Sequence, residues 1–153
     1  MSNIKLNEKY MSLFSGDTRY YIVTGGRGSG KSFGVTLFLN NLTYENNHKV
    51  LFTRYTMSSA HSSIIPEFVD KIDVMGLQDD FRVTRDEIVN QTTDSAIMFK
   101  GIKTASGNQT AALKSLANVS TFVVDEAEEL VDEEVFDKID LSVRTQKVQN
   151  RVI

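Results

Sequence analysis

Hydrophobic and polar positions along the chain switch repeatedly between the period of a strand and that of a helix. Residues 20–24, "YYIVT", form a short apolar run with β-branched and aromatic side chains bounded by glycine, which predicts a buried strand. From Lys31 to about Leu42, the residues Phe33, Val35, Leu37, Phe38, Leu39 and Leu42 fall largely at helical spacing. "KVLFTR" (Lys49 to Arg54) predicts a second strand. Residues 58–77 carry Ile64, Ile65, Phe68, Val69, Ile72 and Met75 as an apolar stripe and predict a helix, in which Pro66 marks a first turn or a kink. Residues 81–100 alternate in strand-length pieces between polar turns, predicting two or three antiparallel strands. Residues 105–115 are small and polar, a loop or short helix. "STFVVDE" (residues 120–126) predicts a further buried strand, and residues 128–141 return to helical period through Leu130, Val131, Val135, Phe136, Ile139 and Leu141. No internal repeat or break in composition divides the chain, so residues 1–153 read as one domain. Strands alternating with helices predict an α/β fold with a mainly parallel sheet and an antiparallel edge or insert.

Composition narrows the class. A hydrophobic fraction of 41% and a charged fraction of 24% over 153 residues describe a soluble domain able to bury a core. No apolar run approaches the roughly 20 residues of a membrane span, and the N-terminus lacks the pattern of a secretory signal. The absence of cysteine excludes disulfides, thiolate metal sites and a cysteine nucleophile, and fits an intracellular protein. A net charge of −3 argues against a strongly basic nucleic-acid coat, while leaving room for a brief or local contact. His48 and His61, the two histidines, read as surface or turn residues. Chemistry must therefore rest on Lys, Arg, Asp, Glu, Ser and backbone amides.

Gly25-Gly26-Arg27-Gly28-Ser29-Gly30-Lys31-Ser32 fits G-x-x-x-x-G-K-[ST] at every fixed position, with a strand expected before it and a helix after. Glycines let such a loop curl so that successive N–H groups point at phosphate oxygens, and the helix start adds its positive end. Lys31 would reach the β- and γ-phosphates, and Ser32 would ligate Mg²⁺. A carboxylate must complete that magnesium site, and Asp125 and Glu126 end the strand expected at residues 120–126. Asp125 would hold the metal; Glu126 would take a proton from the attacking water. An acidic helix start also explains carboxylates near a helix dipole, and accounts for Glu128, Glu129, Asp132 and Glu133. That the Asp-Glu pair ends a buried strand favours the catalytic reading. The adenine side is poorly marked: Tyr10, Phe14 and Tyr20 are as suited to packing as to base stacking. No guanine-selective Asn-Lys-x-Asp is present, which favours ATP over GTP.

From about Tyr20 to Arg144 the chain resembles the N-terminal ATPase domain of the large terminase subunit of tailed bacteriophages, in its prophage-type branch. The resemblance rests on "GGRGSGKS", "VLFTRYTMSSAHSSI", "SAIMFKGI", "LKSLANVSTFVVDEAEEL" and "FDKIDLSVR", in that order and spacing. It implies a P-loop NTPase of the RecA-like ASCE type. Gly25, Gly26, Arg27, Gly28, Ser29, Gly30, Lys31 and Ser32 would form the Walker A loop, with Arg27 at the γ-phosphate. Asp125 and Glu126 would be the Walker B aspartate and the catalytic glutamate. Lys114 and Arg144 are candidates to stabilise the transferred phosphoryl, in this subunit or a neighbour; Arg54 is a candidate for either a site role or a structural ion pair. The cofactors implied are ATP and Mg²⁺. The partners implied are double-stranded DNA, the terminase small subunit, the portal protein and further copies of the chain in a ring, all in the cytoplasm of a bacterial host and without a membrane. The resemblance also implies a C-terminally truncated chain. The core strand between the P-loop strand and the Walker B strand would lie beyond Ile153, as would the nuclease domain, so no DNA cleavage is expected. A nucleotide kinase, a helicase-type ATPase and a nucleotide-binding module without turnover are the competing functions.

Overall fold

The computed structural model describes residues 4–102, 117–130 and 132–153. Its centre is β1 (Lys49–Arg54), in which Val50, Leu51, Phe52 and Thr53 are all buried. Burial on both faces is what an interior parallel strand requires. Parallel neighbours flank it: β4 (Ala96–Gly101) on one side and β5 (Thr121–Val124) on the other. Outside β4, β3 (Glu87–Asn90) pairs antiparallel with β4 and β2 (Phe81–Val83) pairs antiparallel with β3, and β6 (Arg151–Val152) lies parallel beyond β5. The order is β2-β3-β4-β1-β5-β6. The mainly parallel α/β sheet and its antiparallel edge are those expected from the sequence.

The pleat sorts the side chains into two layers. Val50, Phe52, Ile97, Phe99 and Val123 face one layer, built with α1 (Met11–Ser15), α2 (Lys31–Leu42) and α4 (Ile65–Met75). Val35, Phe38, Leu39 and Leu42 are the buried face of α2, spaced as one helical stripe. Phe52, Phe68 and Phe99 pack as a triangle of rings, their centroids 5.4–5.8 Å apart. Leu51, Phe122 and Val152 face the other layer, against Ile139 of α5 (Glu133–Asp140).

Several expectations are corrected. The helix expected over residues 58–77 is broken into α3 (Met57–Ser59), a wide π-type turn (Ala60–Ile64) and α4. Pro66 has no N–H to give to the carbonyl four residues back, and the wider turn precedes it. The helix expected from residue 128 starts at Glu133, because the Asp132 carboxylate accepts from the Glu134 and Val135 amides (3.0 and 3.4 Å) and caps it there. Residues 105–115 lie outside the described residues.

Residues 20–24 form no buried strand. Tyr20 makes a single parallel bridge to Val152, the Tyr21 amide donates to the Val152 carbonyl (2.8 Å), and Ile22 is 90% exposed. Among the described residues the segment lies at the edge of the sheet and pairs with it at its first residues. Between the P-loop segment and β5, where a strand is expected from residues beyond Ile153, lies β6. Arg151 and Val152 pair with Thr121 and Phe122 on one side, and Val152 bridges to Tyr20 on the other. Two residues are too few to show a strand period in the sequence.

His48 is buried rather than on the surface. One ring nitrogen lies 3.2 Å from the Ser120 hydroxyl and the other 3.3 Å from the Glu45 carboxylate, at the N-terminal ends of β1 and β5. Burial, reinforced by the Arg151 charge, holds its pKa below the usual value against the pull of Glu45. An unfolded histidine titrates near about 6.5. As pH falls through that value the unfolded chain takes up a proton that the folded ring refuses, so stability is lost on acidification. Urea unfolding should therefore show a larger loss of stability from about pH 7.5 to about pH 5.5 in the parent than in His48→Gln. An equal loss in both would show that His48 contributes nothing to the pH dependence.

Candidate nucleotide-binding site

The parallel strands present their C-terminal ends to one side, where an open α/β sheet binds its ligands. Three segments meet there. The first is the glycine-rich loop, whose chain turns back through a Ser29 N–H to Gly26 carbonyl bond of 3.2 Å. Gly30 takes φ +81° at the N-cap of α2, a left-handed conformation that a side chain would strain. No side chain caps the helix, so its first-turn amides are left for a ligand above the loop. The Lys31 ammonium lies inside the curl, against the Gly25 and Gly26 carbonyls. Ser32 and Arg27 open onto the same space.

The second segment follows β5. The Asp125 amide donates to the Thr53 carbonyl (3.0 Å), extending the β1–β5 ladder by one bond, and the chain then turns sharply at Glu126 (φ 54°, ψ 53°). A left-handed glutamate is unusual, and such conformations gather at functional turns. The third is the end of β1. Arg54 Nε lies 3.3 Å from an Asp125 oxygen, Nη2 lies 3.2 Å from a Glu126 oxygen, and Nη1 donates to the Ser63 hydroxyl at 2.7 Å. The guanidinium thus spans both carboxylates that the sequence singles out.

The electrostatics are those of an acidic cleft with too few cations. Burial raises the Asp125 pKa, and Glu128 and Glu129 add to it, while Arg54 and the Glu126 amide oppose. Glu126 is raised first by a side-chain hydrogen bond with Glu128, then by burial and by Asp125. Its partner Glu128 is held low by its own backbone amide and by the same bond. Glu67, on the first turn of α4, also lines the cleft and is raised by burial and by Asp125. Sequence reading missed Glu67, which sits on a helix with nothing but polarity to mark it.

A single cavity of about 1210 Å³ takes in residues 20–33, residues 123–128 and Glu67. It therefore joins Lys31, Ser32 and Arg27 to Asp125 and Glu126. Arg144 is not brought there. It is exposed in the connection between α5 and β6, beside Val143, whose carbonyl accepts from Arg19 away from the cleft. Lys114 lies outside the described residues. Of the three aromatics considered for a base, Tyr10 is buried and Phe14 packs edge-on against Phe38, leaving Tyr20 alone in the cleft lining.

The groups present fit a magnesium nucleotide. Among the described residues no three histidines or carboxylates gather as a metal cage. A hydroxyl, one carboxylate and phosphate oxygens are what Mg²⁺ takes in phosphoryl-transfer sites, and Ser32 and Asp125, which line the same cavity, are residues that could offer the first two. The loop amides and Lys31 suit the phosphates themselves.

The family model for the phage terminase large subunit matches residues 17–153. The chain belongs to that family. No curated protein matches the sequence. Solved terminase structures share its fold. The ATPase domain of the Thermus phage P74-26 large terminase superposes with a TM-score of 0.71 at 15% identity, over 97% of this chain and 64% of that one. The HK97 bacteriophage large terminase gives 0.70 at 14%, over 97% and 32%. The large terminase of a thermophilic bacteriophage, solved in complex with ADP, gives 0.66 at 12%, over 95% and 37%. This terminase chain thus spans less than two thirds of each. No helix among its described residues is long and apolar enough to cross a membrane.

The upward shift at Asp125 means that the fold disfavours its ionised form, Arg54 notwithstanding. Asp125→Asn should therefore raise the urea midpoint of unfolding at about pH 7 relative to the parent. A lowered midpoint would show that the Arg54 pair stabilises more than burial costs.

Proposed function

We propose that this chain is the ATP-binding and ATP-hydrolysing motor domain of a terminase large subunit that drives DNA into a procapsid. One observation carries the reading: the phosphate loop with Lys31 and the Asp125–Glu126 pair face each other across one cleft. The ADP bound by the thermophilic phage's terminase is in keeping with it.

In this reading the amides of residues 25–32 and the Lys31 ammonium hold the phosphates, and Arg27 supports the outermost one. Ser32 and Asp125 would hold Mg²⁺, whose charge would offset that of the bound phosphates. Asp125 would be shared between the metal and Arg54, whose remaining contacts are Glu126 and Ser63. Glu126 accepts a proton from water; its raised pKa makes it a better base than a free carboxylate. Arg144, away from the cleft, can serve transferred phosphate only in a neighbouring copy, as an arginine finger does in trans. Membership of the terminase family supports double-stranded DNA, the portal, the small subunit and a ring of copies as partners in the host cytoplasm.

Lys31→Ala should abolish ATP binding in a titration, and Glu126→Gln should keep binding while turnover falls at least about 100-fold. Normal hydrolysis by Glu126→Gln would remove Glu126 as the base. ATP bound without phosphate release by the parent, even when oligomerised, would leave a binding module and no motor.

A further inference from the structure

The N-terminal segment ahead of the phosphate loop is tied to the loop by two side chains that converge on one carbonyl. The Tyr10 hydroxyl and the Lys9 ammonium both donate to the Ser29 carbonyl, each at 3.0 Å. Lys9 also lies over the Tyr10 ring, 4.8 Å from its centroid. The turn that carries them is fixed in its own right: the Asn7 side chain accepts from the Lys9 amide (3.1 Å), and the Tyr10 amide donates to the Asn7 carbonyl (3.0 Å).

The ring of Tyr10 is 4% exposed and lies along one face of the start of α2. Gly30 and Gly34 are four residues apart and so share that face. A methyl at Gly34 would fall 2.7 Å from Tyr10 Cγ, and one at Gly30 would fall 3.9 Å from Cε2. Two glycines thus make a flat seat for the ring. Gly34 is a poor helix former in a helix interior, and this close approach is the reason for it.

We infer that Tyr10, assisted by Lys9, is a positioning residue for the phosphate loop: it fixes the Ser29–Gly30 peptide so that the Gly30 N–H faces the bound phosphate. A peptide unit is planar and trans, so its carbonyl and its N–H point in opposite directions. Two donors holding the Ser29 carbonyl toward the N-terminal segment turn the Gly30 N–H the other way, toward the inside of the loop. Glycine gives this peptide little stiffness of its own, so the orientation depends on the anchor. Binding a phosphate then requires no ordering of that amide, and preorganised donors bind more tightly than mobile ones.

The inference rests on the loop binding phosphate, as proposed above. Its test is titration calorimetry of Mg-ADP and of inorganic pyrophosphate with the parent, Tyr10→Phe and Lys9→Met, together with thermal unfolding of each. Tyr10→Phe keeps the ring in its seat and removes only the hydroxyl. It should weaken both ligands by a similar factor, about 3- to 10-fold, the worth of one hydrogen bond, with the unfolding midpoint nearly unchanged; Lys9→Met should do the same to a smaller extent. Pyrophosphate affinity equal to the parent's in both variants would overturn the inference while leaving the nucleotide site intact. A lowered midpoint with unchanged affinity would overturn it too, making Tyr10 a packing residue. A parent that binds neither ligand would overturn the nucleotide reading and this inference together.

Discussion

The parallel ladder between β1 and β5 is the constraint on which the cleft depends. Its register pairs Thr53 with Val124, so the next step along both strands sets Arg54 beside Asp125. The Asp125 amide makes that step by bonding to the Thr53 carbonyl. A one-residue slip would turn every side chain of β5 to the other layer. It would bury Val124 among the α2 and α4 side chains and carry Asp125 away from the guanidinium. Phe122 and Val123, buried on opposite faces, forbid that slip. The apolar core thereby fixes where the charges stand.

The cleft itself is a costly place. Asp125, Glu126 and Glu67 all hold protons more readily than free carboxylates, and Glu126 sits in a left-handed conformation. Ile22 is almost wholly exposed at the sheet edge. Strain and unbalanced charge of this kind gather at functional sites, and the proposed ligand would offset both by bringing a divalent cation to the carboxylates and phosphate to the amides. The layers on either side of the sheet offset the cost through fully buried Phe68, Phe99, Phe122, Leu39 and Ile97.

Much of this was legible in the sequence, for a physical reason. A phosphate loop needs glycine, lysine and serine at fixed local spacing, so Gly25 to Ser32 stand out as a candidate loop without the fold. Asp125 and Glu126 are legible because they end an apolar run. What depends on distant neighbours was not legible. The partners of Arg54 emerge only with β1 and β5 side by side, and Tyr10 gave no sign of its bond to Ser29, 19 residues on. His48 is polar by type yet buried by the strands around it. Residues 20–24 have the composition of an interior strand but lie at the edge, because composition reports affinity for a sheet and not position within it. Pro66 announced a break without saying that a wide turn would carry it.

The central claim is that loop and carboxylate pair form one site that takes metal and nucleotide together. Manganese in place of magnesium, followed by electron paramagnetic resonance during titration, tests it directly. With Ser32 and Asp125 as the protein's ligands and phosphate oxygens as the rest, the protein should bind the ion tightly only when ATP is present. Tight manganese binding without nucleotide, or ATP binding that leaves the ion's spectrum unchanged, would contradict the account.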